Sequence, residues 1–166
     1  LSYEILNQNP NWVFVPFGTG DLYKNIIIRN SKEMVKKVYS KRFFADKKVL
    51  MGCNFMGAAS NRKNSKMKML YSPFQNKTIQ SVNNDIVASL VDRQSCGNES
   101  KVKLVSEKYI DIAIEIANYF HITFEPSGIS GLALFLQMID KNQIKIHPHD
   151  KIIVVNTGKS VASNYY

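Results

Sequence analysis

Two turns near the end of the chain hold the polar residues best placed for chemistry. Glu125-Pro126-Ser127-Gly128 follows the β-prone run 122–124, and Asn156-Thr157-Gly158 follows the apolar run 151–155. If both runs are parallel strands, the turns lie at the carboxyl edge of one sheet, where open α/β folds bind ligands. The sequence therefore predicts that the turns form one wall of a cofactor site. Ser127 or Ser130 is expected to cap the helix that follows the first turn.

A glycine loop, Gly18-Thr19-Gly20, is the third candidate site segment. It lies between an apolar run at 12–17 and a helix-compatible segment at 22–29. Strand, glycine loop and helix in this order can hold a phosphate through backbone N–H groups. A plain turn between strand and helix explains the pattern equally well, and the adjacent Asp21 carboxylate would repel a phosphate. The long glycine pattern of a dinucleotide site and its downstream acid are not present.

Other reactive side chains give weaker signals. His147 and His149 flank a proline and are better explained as surface residues than as metal ligands. The serines at 127 and 130 have no His/Asp partner that would indicate a hydrolase triad. Cys53 could be a nucleophile, but nothing near it would lower the thiol pKa, so a small core residue is the favoured interpretation. The two cysteines lack metal-type spacing, which favours a reduced, cytoplasmic setting.

Apolar patterning predicts alternating helices and strands along one domain, residues 1–166. The class is α/β, with a mostly parallel sheet between flanking helices in three layers. The stretch 71–102 gives no clear pattern. Ile110, Ala113, Ile114 and Ala117 are expected on the buried face of a helix capped by Ser106. The predicted helices are 1–8, 22–29, 31–44, the helix after Ser106 and 131–141, and the predicted strands are 12–17, 49–53, 122–124 and 151–155.

Composition fits an ordinary globular domain. The chain has 166 residues, of which 45% are hydrophobic and 21% are charged. No apolar run is long enough for a bilayer, and no signal-peptide pattern opens the sequence, so no membrane association is expected. The net charge of +9 would attract polyanions. Without a nucleic-acid motif, a solvated surface is favoured over a nucleic-acid face, and an anionic cofactor would use a few of the cations.

Several segments, in order, resemble one enzyme family. The matching pieces are Tyr3 to Gln8 before Val13 to Gly20, then Val105-Ser106-Glu107, then residues 125–128 and Val154 to Gly158. Together they resemble the carboxyl-terminal part of pyridoxal-phosphate (PLP) enzymes of the tryptophan synthase β-like type, fold type II. Threonine synthases and threonine/serine dehydratases are the most similar members. The resemblance spans nearly the whole chain.

The resemblance implies a cofactor, PLP, and a role for each candidate residue. Gly18, Thr19 and Gly20 would hold the cofactor phosphate, and Thr157 would meet the pyridine nitrogen. Glu125 and Ser127 would shape the far edge of the pocket. The implied reaction is β- or γ-elimination or replacement on an amino-acid substrate, as in lyases and synthases; a homodimer is left open.

The family's Schiff-base lysine, and the asparagine that contacts the cofactor's phenolic oxygen, lie in an amino-terminal region with no counterpart here. No catalytic residue is therefore expected in this chain. The chain is interpreted either as a carboxyl-terminal fragment of a larger fold or as a diverged remnant of one, inactive alone. The alternative is a non-catalytic basic α/β module that binds an anionic partner.

Overall fold

The computed structural model describes residues 1–18, 20–27, 29, 53–59 and 101–158. The predicted helix at 31–44 and most of the predicted strand at 49–53 lie outside these residues. The described helices are α1 (Ser2–Asn7), α2 (residues 21–27), α3 (Glu107–Tyr119) and α4 (Ser130–Asp140). The described strands are β1 (Trp12–Pro16), β2 (Asn54–Ala59), β3 (Lys101–Leu104) and β4 (Ile152–Val154).

The four described strands form one sheet in the order β3-β2-β1-β4, and all three pairs are parallel. Phe14 of β1 is opposite Met56 on one side and Val154 on the other. The described strands step from β1 to β2 to β3 in one direction, whereas β4 lies on the opposite side of β1. A crevice is expected at the carboxyl ends of strands where the order reverses in this way. The predicted parallel α/β class is confirmed.

Helices cover both faces of this sheet. Alternate residues of β1 point to opposite faces, so Trp12 and Phe14 join a core with α3 and α4. Val13 and Val15 join a second core with α1 and α2. All five residues of β1 are buried, which explains its continuous apolar sequence. The three-layer arrangement is thus present in the described part of the chain.

Helices α3 and α4 are joined by partly buried polar contacts. The Gln137 side chain donates to the Leu104 carbonyl at 2.8 Å and accepts from the Ser106 N–H at 2.9 Å. It thereby pairs backbone groups at the end of β3 and the start of α3. The Tyr109 hydroxyl donates to the Asp140 carboxylate, and this hydrogen bond raises the pKa of Tyr109. The two helices are held as a unit over the sheet.

The predicted strand at 122–124 is wrong, because the segment belongs to a helix ending. His121 adopts φ +53° just after α3. Its N–H donates to the Asn118 carbonyl, and the Ile122 N–H donates to the Ala117 carbonyl. These two hydrogen bonds, together with the left-handed conformation of His121, form a Schellman motif. The β-prone side chains after it therefore enter a loop between two helices, and Ile122 is 46% exposed.

Only Cys53 of the strand predicted at 49–53 lies within the described residues, and its inclusion is wrong, because Cys53 precedes β2. Strand β2 contains the small residues that were expected to follow the predicted strand. A Cβ atom on Gly57 would lie 3.0 Å from both Phe17 and Val102, so this position in β2 must be small. Strand β3 was not predicted, because it falls at the end of the stretch without a clear pattern. Ser106 is the N-cap residue of α3, as predicted, although its side chain makes no capping hydrogen bond. The burial of Ile110, Ala113 and Ala117 is confirmed, and Ile114 is partly buried against the same core.

Candidate functional site

The carboxyl ends of β1 and β4 bring the glycine loop and Thr157 to one edge of the sheet. The Val155 N–H donates to the Phe14 carbonyl at 2.9 Å, which continues the pairing of β4 with β1. Gly18 lies two residues beyond the end of β1, and Thr157 lies three residues beyond the end of β4. Neighbouring strands are about 4.8 Å apart. The edge assumed from the sequence therefore exists, although β1 rather than residues 122–124 is the neighbour of β4.

Two turns meet backbone to backbone at this edge, and we call residues 123–128 and 156–158 the turn pair. The Thr157 N–H donates to the Gly128 carbonyl at 3.3 Å. The Asn156 side-chain amide donates to the Thr123 carbonyl at 2.8 Å. A Cβ atom on Gly128 would lie only 2.8 Å from the Gly158 nitrogen. The two turns can approach this closely because each has a glycine at the contact.

Glu125 packs its side chain on the second turn. A Cβ atom on Gly158 would lie 2.6 Å from the Glu125 Cγ, so any larger residue here would have to push the Glu125 side chain aside. Glu125 is half-buried, and its backbone carbonyl accepts from the Ile129 N–H at 3.1 Å. Its position makes it part of the wall beside Thr157.

The two serines of the first turn lie inside the protein. Ser127 is 6% exposed and Ser130 is fully buried. The expectation that one of them caps the helix is wrong, because the N-cap residue of α4 is Ile129 and no side-chain cap bond forms. Ser130 is the first residue of α4, and its hydroxyl donates to the Ser127 carbonyl at 2.8 Å. That hydroxyl stabilises the turn from within.

The glycine at position 20 of the loop is explained by local packing. Gly20 has φ +89°, and a Cβ atom there would lie 2.8 Å from the ring of buried Phe17. The Gly20 carbonyl accepts from the Lys24 N–H at 2.8 Å and so starts α2. Gly18 is half-buried and Asp21 is exposed, while Thr19 lies outside the described residues. Packing on Phe17 accounts for Gly20 whether or not the loop binds a ligand.

Gly131 and Asn156 contribute to this edge, and sequence reasoning did not assign them a role. A Cβ atom on Gly131 would lie 2.8 Å from the Phe14 carbonyl oxygen and 3.4 Å from that of Val155. The first turn of α4 therefore rests directly on the backbone in the middle of β1 and just beyond the end of β4. The sequence signal for Gly131 was a glycine at a helix start. For Asn156 no local signal exists, because its partner Thr123 is 33 residues away.

The other reactive candidates do not join the site. Cys53 is buried in the core that contains α1 and α2, and burial raises its thiol pKa to about 12. A thiol with this pKa is protonated near neutral pH, which agrees with a core role. The His147 N–H donates to the Asp150 carboxylate within an exposed loop. Across the ranges that the structure describes, no group of three or more His, Cys, Asp or Glu residues could hold a metal ion.

The chain as a whole is similar in structure to two enzymes of known structure. The chain is similar in structure to a serine racemase from Dictyostelium discoideum, with a TM-score of 0.55 and 19% identity. The match covers 98% of this chain and 48% of that one. An L-serine ammonia-lyase from the fungus Rhizomucor miehei is also similar, with a TM-score of 0.51 and 19% identity over 95% of this chain and 48% of the other.

These similarities establish the fold. The partial fold type II architecture expected from the sequence is confirmed, and the chain spans about half the length of each structure that it matches. No protein-family model matches the chain, and no curated protein sequence does so either. In the part of the chain that the structure describes, no helix has the length and apolar character needed to cross a bilayer.

Proposed function

We propose that this chain is the cofactor-binding part of a PLP-dependent enzyme that acts on amino acids by β- or γ-elimination or replacement. The supporting observation is the turn pair, which lies with the glycine loop at the carboxyl edge of a sheet whose strand order reverses there. The fold is shared with a serine racemase and a serine ammonia-lyase. Serine is named in both, so it is the first substrate to test in a complete enzyme.

The residues present fit a PLP ring and phosphate by type and position. Thr157 is exposed and offers a neutral hydroxyl, which can hydrogen-bond a pyridine nitrogen without forcing it to carry a proton. The backbone N–H groups of residues 18–20 are the candidate phosphate ligands, next to the start of α2. Asp21 works against phosphate binding, because its charge repels an anion at short range. We therefore assign the pyridine edge to Thr157 and the phosphate to the glycine loop.

When bound, PLP serves as an electron sink for carbanions at the substrate α-carbon. In this proposal Thr157 orients the ring, whereas Glu125 and Ser127 shape the pocket wall beside it. None of these residues bonds covalently to the cofactor. We propose that the Schiff-base lysine belongs to a part of the fold outside this chain, so that the chain alone binds without turning over.

The test is an NMR titration with 4′-deoxypyridoxine 5′-phosphate. This analogue lacks the aldehyde, so it cannot form Schiff bases with surface lysines. That matters for a basic chain, which has 22 Lys and Arg residues. We expect saturable shifts of the Gly18, Gly20 and Thr157 amides, with pyridoxine, which lacks the phosphate, shifting the Thr157 region alone. Shifts spread over the lysine-rich surface, or no saturable shifts, would overturn the proposal.

The net charge of +9 supports the second candidate, a non-catalytic module for an anionic partner. Binding of this kind weakens steeply as salt rises, because counterions are released. A polyanion such as heparin would then bind with a strong salt dependence and shift basic surface residues. If heparin binds the chain tightly and the PLP analogue leaves Thr157 unshifted, the binding module is the better description.

A further inference from the structure

The Asn156 side chain touches both halves of the turn pair. Its Nδ2 donates to the Thr123 carbonyl at 2.8 Å, and its Oδ1 accepts from the Gly158 N–H at 3.4 Å. A Cβ atom on Gly128 would lie 3.1 Å from the same Oδ1, so the amide fills the space between the turns. An asparagine amide supplies a donor and an acceptor in one short side chain. Both are used here on backbone groups.

Thr157 lies between these contacts. Its own N–H donates to Gly128, the residue before it is tied to Thr123, and the residue after it packs on Glu125. The Thr157 side chain is exposed, so neighbouring side chains do not fix it by burial. The direction of its hydroxyl therefore depends on how the backbone of this turn is held.

We propose that Asn156 is a positioning residue, which holds the Thr157 backbone against residues 123–128 so that the hydroxyl faces the ligand. This inference rests on the proposed function, because it assigns Thr157 a ligand contact. Both hydrogen bonds of the Asn156 side chain go to backbone groups, and the proposal gives this residue no chemical role. Its loss would leave the hydroxyl in place but the turn less fixed.

The test uses Asn156→Ala, with Asn118→Ala as its matched control. Asn118 is exposed on α3, and its replacement removes an equivalent amide without touching the turn pair. A net contribution of about 0.5–1.5 kcal/mol per hydrogen bond corresponds to roughly 2- to 12-fold. We expect Asn156→Ala to speed amide hydrogen exchange at Thr157 and Gly158 by a factor in this range, and Asn118→Ala to leave it unchanged.

A second readout separates positioning from a general structural role. If Asn156 acts through Thr157, the double variant Asn156→Ala/Thr157→Val should bind 4′-deoxypyridoxine 5′-phosphate no more weakly than Thr157→Val alone. Residues that act independently would instead give additive losses. Additive losses, or unchanged exchange at Thr157 in Asn156→Ala, would overturn the inference.

If the unmodified chain does not bind the analogue, the proposed function fails and the ligand-positioning role fails with it. If the unmodified chain binds and only Asn156→Ala has no effect, this inference alone fails.

Discussion

The glycine loop and the turn pair lie at the same edge of the sheet, yet their glycines serve different purposes. Gly20 packs on Phe17 of the same segment, so it completes a local part of the core. Gly128 and Gly158 allow two distant segments to meet, and this contact leaves the Thr157 hydroxyl exposed. Packing on Phe17 is thus enough to explain the glycine of the loop. In the turn pair, packing of the glycines does not by itself explain why a polar hydroxyl is held exposed at this edge.

The functional assignment therefore depends more on the turn pair than on the glycine loop. A glycine with positive φ beside a buried ring is needed for folding whether or not a phosphate binds. A polar residue held at the carboxyl edge of two parallel strands is in the place where ligands of such folds bind. The experiments below test whether the two segments differ in this way.

The largest expected effect comes from removing the ring under the glycine loop. Phe17 is 2% exposed, and Phe17→Ala should lower the free energy of unfolding by about 3–5 kcal/mol, the usual range for a buried phenylalanine. Urea denaturation measures this loss. Tyr119→Ala is the control, because Tyr119 is 78% exposed and should change stability little. A loss below about 1 kcal/mol for Phe17→Ala would show that the loop is not built on this ring.

Gly20→Ala tests the same packing from the other side. The new methyl group would meet the Phe17 ring, and φ +89° is unfavourable for alanine. We expect a loss of about 1–3 kcal/mol in unfolding free energy. In a Phe17→Leu background the steric part should shrink, so the two changes should be non-additive. Equal costs in both backgrounds would leave only the backbone strain as an explanation.

Gly158→Ala should cost less, because its nearest neighbour is the half-buried side chain of Glu125, which can move. We expect a loss of about 1 kcal/mol, near the centre of single-substitution effects. Replacing Glu125 by alanine as well should recover part of it, since the methyl group then has room. Thermal unfolding of the single and double variants measures the coupling. A Gly158→Ala cost that Glu125→Ala does not relieve would contradict the contact between these residues.

The smallest expected effect is the pH dependence that the Cys53 thiol gives to the free energy of unfolding. Its folded pKa is about 12, above the value of about 8.5 for an exposed thiol. Between these values the unfolded chain binds fewer protons than the folded one, so stability should fall as pH rises above about 8.5 and be unaffected at pH 7. The contribution of this thiol is the difference in free energy of unfolding between the original chain and Cys53→Ala, measured from pH 7 to pH 10. A difference that does not change over this range would show that the thiol is not buried as described.

The sequence was sufficient for the elements whose patterns were strong and long. β1, β4, α3 and α4 were predicted because apolar runs and helical faces are local signals. The strand predicted at 122–124 was wrong because these β-prone residues follow a helix cap at His121. Positive φ is uncommon at any residue other than glycine, so histidine here gave only a weak signal for a helix end. β2 was misplaced because Gly57, Ala58 and Ala59 look like a strand end, although their small size is what the core requires.

The site was predicted in part for a related reason. The carboxyl edge next to Thr157 could be predicted, because the carboxyl ends of parallel strands lie together in any such sheet. The strand argument, however, took residues 122–124 as the neighbour of β4, whereas the neighbour is β1. The contact of Asn156 with Thr123 could not be predicted, since it depends on how two turns pack in space. The roles of Gly18, Thr19, Gly20, Glu125, Ser127 and Thr157 toward a cofactor stay predictions.

The central claim is that Thr157 faces a pyridine ring at this edge. The most direct measurement is the affinity of Thr157→Val and Thr157→Ser for 4′-deoxypyridoxine 5′-phosphate, compared with the original chain. Losing a hydroxyl contact of about 0.5–1.5 kcal/mol should weaken binding by roughly 2- to 12-fold in Thr157→Val, while Thr157→Ser keeps the hydroxyl and most of the affinity. Equal affinities for Thr157→Val and the original chain, with both folded, would contradict the claim.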